Sequence, residues 1–280
     1  MNIEEKLTLI LRNSKTLRNY KWALRMLKST AGNKDSYDVF DALKAIEAQK
    51  KPSSKQTLYY MLKKIYRIAD WRWDDTIIPL PEESWDQRDT PVFSREYVSL
   101  MIKNSHKLEP IERLALAFST VWGMRRIEIT EALNNEDTIS MDDPPTIYIR
   151  TAKKGIRRKF LIPDEIIWVM EEFKPYKVSE WTVSAMFHSI CYKTIGEIKP
   201  KFGYHAIRRA LIGLLLPPYT TLSESEVFRF LRWSEKMAGT RAILYRYAYT
   251  AREEEWFKLD RKIYEQHPWL KDWEVAKNVK

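Results

Sequence analysis

The sequence predicts a mainly α-helical protein with one small β-hairpin, divided into two folded units. Three observations lead there. Apolar residues recur at three- and four-residue steps along most of the chain, the period of a helix with one buried face. One stretch, TIYIRTAKKGIRRKFLIP at 146–163, breaks that period and reads as two short strands, TIYIR and KFLIP, joined by a very basic turn. A proline-rich acidic passage, TIIPLPEESWDQRDTP at 76–91, interrupts the helices.

Taken in order, residues 1–76 read as several amphipathic helices. SKTLRNYKWALRMLKS places Leu17, Tyr20, Leu24 and Leu27 on one face, and SSKQTLYYMLKKIYRIADW does the same with Leu58, Met61, Leu62 and Ile65. Ser14 and Ser53 or Ser54 are the expected N-caps. This part holds 16 Lys+Arg against 9 Asp+Glu, a balance of +7. Residues 77–92 read as a linker, with prolines at 79, 81 and 91 and with Arg88 against Glu82, Glu83, Asp86 and Asp89. From 93 to 280 helices resume, with Ser94 and Pro110 as start signals. The turn-rich NNEDTISMDDPP leads into the hairpin, and helical periodicity returns after Pro163 to about Tyr264.

The composition limits the function. A chain of 280 residues with 44% hydrophobic residues can bury a core, and a net charge of +10 favours an acidic partner such as nucleic acid over a merely basic soluble protein. One cysteine, Cys191, permits no disulfide framework, fits a reducing cytosol and reads as a core thiol. MNIEEKLTLI does not read as a signal peptide, and no apolar run is long enough for a bilayer. With 7 glycines and no phosphate-binding Gly loop or His/Cys/Asp cluster, neither a nucleotide cofactor nor a metal is expected.

Four places could carry chemistry. In WGMRRIEI, Arg125 and Glu128 lie three apart at a helix start, so the carboxylate can hold the guanidinium; a plain surface ion pair is the simpler reading. In KKGIRRK, Lys153 or Lys154 on a hairpin tip could reach a DNA groove and donate a proton, or merely bind phosphates. In GYHAIRRAL, His205 and Arg208 share a face ahead of an apolar run, an arrangement suited to an anion. In FRFLRWSEKMAGTRAILYRYAYT, Trp233 is followed by Tyr245, Tyr247 and Tyr249, which by themselves read as packing residues.

In that order the four resemble the boxes of the tyrosine recombinase (phage integrase) family. GMRRIEI is similar to its first box and HAIRRA to its His-x-x-Arg box. FLRWSE resembles its Leu-Gly-His-Ser turn, with Trp233 where His is usual, and YRYAYT its Arg-Tyr-Ala-His ending. The amino-terminal SKTLRNYKWALRML resembles the opening of the family's helical core-binding domain. A Lys- and Glu-rich chain with few glycines is compatible with a thermophilic source, and an archaeal or mobile-element integrase is the kind of member considered.

The resemblance implies a two-domain architecture, a helical core-binding domain at 1–76 and a mixed α+β catalytic domain at 93–280 with a helical tail, forming a C-shaped clamp on DNA. It implies cutting and rejoining of duplex DNA through a 3′-phosphotyrosine, without metal or ATP, by a homo-oligomer, in the family a tetramer, on paired sites. The setting would be the cytoplasm of a prokaryote, or of the host cell of a virus. The implied catalytic residues are Arg125, Lys154 (Lys153 as alternate), His205, Arg208, Trp233 and Tyr247, with Glu128 supporting. The spacing leaves the nucleophile open. Tyr245 lies nearer the usual distance from Trp233, and Tyr247 has the better local match. A type IB topoisomerase or a telomere resolvase shares this chemistry, and a catalytically idle DNA-binding protein shares its fold. For the tail, AREEEWFKLDRKIYEQHPWLKDW, docking on a neighbouring protomer and folding back on its own domain are both open.

Overall fold

The computed structural model describes residues 2–11, 13–81, 91–150, 157–198, 201–233 and 253–279. The chain divides into two compact units, residues 1–88 and 89–280.

Among its described residues the first unit contains four helices: α1 (Ile3–Ile10), α2 (Ser14–Ala31), α3 (Val39–Glu47) and α4 (Pro52–Ala69). Leu24 and Leu27 of α2 and Leu58, Leu62 and Ile65 of α4 are buried as their spacing requires. The expected serine caps are replaced by other devices. Asn13 caps α2, its Oδ1 accepting from the Thr16 amide at 3.0 Å. In α4 Pro52 occupies the first helical position, where its missing N–H costs nothing. The unit also runs past residue 76, because Ile78 is fully buried in its core. Asp75 fixes that extension by accepting from Tyr59 (2.7 Å), Lys63 (2.7 Å) and Trp73 Nε1 (2.8 Å).

The second unit is built round α6 (Pro110–Val121), which is buried from Glu112 to Val121. A helix enclosed on all sides must satisfy its charges internally. Arg113 pairs with Glu172 at 2.5 Å, and Glu112 accepts from Lys193 and Ser189. Around α6 stand α5 (Arg95–Lys103), α7 (Arg126–Asn134), α8 (Ile167–Met170), α9 (Glu180–Ile195), α10 (Tyr204–Leu215) and α11 (Glu224–Phe230). Ser94 caps α5 and Pro110 opens α6, and Cys191 is a buried core thiol. The two predicted strands form as β2 (Thr146–Ile149) and β3 (Arg158–Leu161), paired antiparallel with Ile147 opposite Phe160. A two-residue strand, β1 (Ile139–Ser140), extends the sheet to the order β1-β2-β3. It was not expected, because two residues show no alternation to read.

The tail forms α12 (Glu253–Glu265) and α13 (Leu270–Lys277), and its apolar stripe is used on its own unit. Ile263, Trp269, Leu270 and Trp273 join the same core as α6. Trp273 Nε1 donates to Thr120 at 3.2 Å, and the Tyr264 hydroxyl donates to the Leu161 carbonyl at 2.6 Å. Asp260, fully buried, takes both arms of Arg158 on β3 at 2.6 and 3.1 Å and the Leu161 amide at 3.1 Å. Arg158 also stacks on Phe160, 3.6 Å from its centroid. Of the two readings of the tail, the fold-back is the one adopted. Removing one partner of such a pair strands a buried charge, so Asp260→Ala is expected to cost about 3–5 kcal/mol in urea unfolding. Truncation after Thr250 is expected to abolish cooperative folding of the second unit, whereas a truncated chain that melts like the full one would mean the tail is not part of this core.

Candidate functional site

Three separate elements converge on the start of α7. The chain leaves α6 through Trp122 and turns at Gly123, whose φ of 55° is left-handed. A Cβ there would lie 3.0 Å from Leu231 Cδ2 and 3.2 Å from Leu211 Cδ2, so only glycine combines this backbone with this packing. Arg125 then stands at the N-cap of α7 and Glu128 one turn in. The Glu128 carboxylate reaches back to both donors of Arg125, the amide at 2.8 Å and Nη1 at 2.7 Å. Arg125 is one-fifth exposed, and the rest of its guanidinium has no further protein partner among the described residues.

The second element is α10. The arrangement differs from two side chains projecting together. A three-residue step turns a helix by about 60° short of a full circle, so His205 and Arg208 straddle the boundary of the buried face. His205 is exposed, and Arg208 is 1% exposed. The Arg208 guanidinium donates to the Gly123 carbonyl and, at 2.6 Å, to the Leu231 carbonyl.

The third element is the turn after α11. Arg232, directly before Trp233, adopts a left-handed φ of 59° and is fully buried. Its guanidinium donates to Glu128 Oε2 at 2.9 Å and to the Trp122 carbonyl at 3.0 Å. Trp233 is half-buried, its ring 4.4 Å from that of Phe228.

Arg125, Arg208 and Arg232 thus surround the single carboxylate of Glu128. Burial alone would raise the Glu128 pKa, but Arg232, the Arg125 amide and the guanidiniums of Arg125 and Arg208 outweigh it and hold the group at about 2. Arg208 is pressed the other way, its pKa lowered by burial and by the charges of Arg232 and Arg125. Two positive charges remain in excess of the carboxylate, so an anion placed at the exposed edge of Arg125 would relieve the cluster.

Of the expected site residues, Arg125, Glu128 and Arg208 are brought together, Trp233 follows the turn that completes the cluster, and His205 stands at the surface of α10. Lys153, Lys154, Tyr245 and Tyr247 lie outside the described residues. Arg232 was missed, since an arginine in a turn reads as solvated. The available signal was its position, at the Gly of the Leu-Gly-His-Ser turn. Among the described residues no group of His, Cys, Asp and Glu could hold a metal, and no helix is long and apolar enough to cross a membrane.

No protein-family model matches the chain, and no curated protein matches its sequence. Solved structures do match its fold. A dimer of lambda integrase (75–356) bound to a COC′ core site superposes with a TM-score of 0.62 at 15% identity, covering 86% of this chain and 92% of that one. A lambda integrase tetramer bound to a Holliday junction gives 0.59 at 14% identity, covering 83% and 76%. XerH site-specific recombinase in a post-cleavage complex with a palindromic difH substrate gives 0.55 at 12% identity, covering 82% and 80%. The chain has the tyrosine recombinase fold: mainly helical, with a small antiparallel sheet.

The depressed pKa of Glu128 sets a sign. Its folded value of about 2 lies below the unfolded one of about 4.3, so its contribution is complete above the unfolded value and is lost as pH falls through the folded one. A depression of this size corresponds to about 3 kcal/mol. Glu128→Gln is therefore expected to be destabilised at neutral pH, with the gap to wild type narrowing between about pH 4.5 and 2 in urea titrations. Gly123→Ala is expected to cost about 1–3 kcal/mol through backbone strain and overpacking, measured in the same way.

Proposed function

We propose that the protein is a tyrosine-type site-specific DNA recombinase that cuts and rejoins duplex DNA through a 3′-phosphotyrosine intermediate. The observation that carries the reading is the buried cluster of Arg125, Arg208 and Arg232 on Glu128, with Trp233 beside it, on the fold of recombinases whose structures hold DNA. Arg125 offers an exposed guanidinium edge to a non-bridging phosphate oxygen, where its forked donors suit the charge that grows in a pentacoordinate transition state. Arg208 stands behind it as further positive charge. A tyrosine hydroxyl, Tyr247 or alternatively Tyr245, attacks phosphorus and loses its proton to His205. The phosphorus–5′-oxygen bond breaks as the phosphorus–tyrosine bond forms, and Lys154, or Lys153, supplies the proton that makes the leaving oxygen a hydroxyl. Trp233 can donate its indole N–H to the phosphate. Attack by another 5′-hydroxyl reverses the step, so the bond energy is kept and neither ATP nor metal is required.

The basic first unit would add phosphate contacts to the duplex, and paired sites would assemble several copies. Duplex binding is expected to weaken with salt, at roughly −0.9 in the slope of log K against log salt for each phosphate neutralised. A chain lacking the first unit, residues 1–88, is expected to show a shallower slope.

A nicked suicide substrate, whose cleaved strand diffuses away, tests the proposal. Wild type is expected to accumulate a covalent adduct that maps to Tyr247, and Tyr247→Phe to bind the site without forming it. Mapping to Tyr245 would move the nucleophile and keep the function. A protein that binds the site and forms no adduct is an idle DNA-binding protein. Lys154→Ala is expected to slow cleavage by roughly 10²–10⁴-fold, with the rate restored on a 5′-bridging sulfur substrate whose leaving group needs no proton.

A further inference from the structure

We propose that Arg232 is a positioning residue for catalysis: through Glu128 it presets the guanidinium of Arg125 for the scissile phosphate. The inference rests on the function proposed above and deepens it.

Arg232 cannot meet DNA itself, because it is fully buried. Among the described residues its guanidinium donates two hydrogen bonds, to Glu128 at the start of α7 and to the Trp122 carbonyl at the end of α6, and it also lies over the Phe160 ring. Glu128 has two oxygens, and the geometry divides them. Oε1 receives Arg125 Nη1 at 2.7 Å, while Oε2 is shared by the Arg125 amide at 2.8 Å and Arg232 Nη2 at 2.9 Å. The amide fixes where the carboxylate sits. Arg232 adds a charged donor to that same oxygen, Oε2, and so helps set how Oε1 faces Arg125. Without Arg232 the carboxylate loses the charged donor on Oε2 that reaches it from outside its own helix.

The backbone makes the same point. A left-handed φ is unfavourable for a residue with a Cβ, by about 1 kcal/mol or more, and glycine would occupy this turn without strain. An arginine here incurs that cost and also buries a charge. The compensation visible in the structure is the pair of bonds to Glu128 and Trp122. Among the described residues, the charged groups acting on Glu128 include Arg125 from its own helix, Arg208 from α10 and Arg232 from the turn after α11, with Arg158 of β3 acting on Arg232 in turn.

The test separates positioning from folding. Arg232→Gly relieves the backbone and removes the whole buried side chain with its guanidinium. It is expected to bind a half-site with the wild-type Kd and to form the covalent adduct about 10²-fold more slowly in single turnover, the effect of a misplaced catalytic group. Glu128→Gln is expected to slow the same step, and the double variant to lose no more than the worse single one, because the two act as one unit. Arg232→Lys keeps a cation near Glu128 and is expected to recover part of the lost rate, so it supplies the comparison if the glycine variant does not fold. Wild-type cleavage rates in Arg232→Gly, losses that add in the double variant, or a folded Arg232→Lys no faster than Glu128→Gln would each overturn the proposal. Failure of the underlying function looks different: wild type itself would form no adduct.

Discussion

One buried carboxylate holds an arginine cluster and part of the second unit's fold together. Glu128 is almost fully enclosed, yet it must be ionised, because the guanidiniums of Arg125 and Arg232 donate to it at 2.7 and 2.9 Å. An uncompensated carboxylate at this depth would be costly, and an uncompensated buried guanidinium equally so. Each is acceptable only because the other is present. The ends of α6, α7 and α11 are thereby brought to one point.

The same arginines complete the ends of helices. The Trp122 and Gly123 carbonyls follow α6, and the Leu231 carbonyl follows α11; helix termini leave such groups without intrahelical partners. Arg232 takes Trp122, and Arg208 takes Gly123 and Leu231. A cation at a helix C-terminus also meets the negative end of the helix dipole. The arrangement therefore divides the labour. Arg208 and Arg232 are held inward by main-chain carbonyls, while Arg125, tied by one arm, keeps an exposed edge for an anion. The tail steadies this scaffold from behind, since Tyr264 accepts from Trp122 Nε1 at 2.9 Å while Trp273 and Trp269 fill the core against α6.

What the sequence made legible was what repeats. The periodic leucines of α2 and α4 announce their buried faces, the two strands pair as read, and Arg125 with Glu128 at a helix start is visible from spacing. What it concealed depends on contacts distant in sequence. Arg232 and Glu128 are separated by over a hundred residues, and nothing local to Arg232 says that it is buried. Arg208 looked free to grip a phosphate because a helical wheel does not show the carbonyls of Gly123 and Leu231 waiting beneath it. The stripe of Ile263, Trp269 and Trp273 announced burial without saying against what, and the fold supplied α6. The start of α2 is capped by Asn13 and that of α4 is set by Pro52 at its first position, a difference of one or two positions that periodicity does not decide.

The central claim is that Glu128 presets Arg125 for a phosphodiester while Arg232 holds Glu128 from within. A structure of the protein on a DNA half-site with an intact scissile phosphate measures this directly. A non-bridging oxygen is expected within hydrogen-bond reach of Arg125, with Glu128 still bound by both Arg125 and Arg232. A phosphate seated away from Arg125, or a Glu128 that has left Arg232 in the complex, would contradict it.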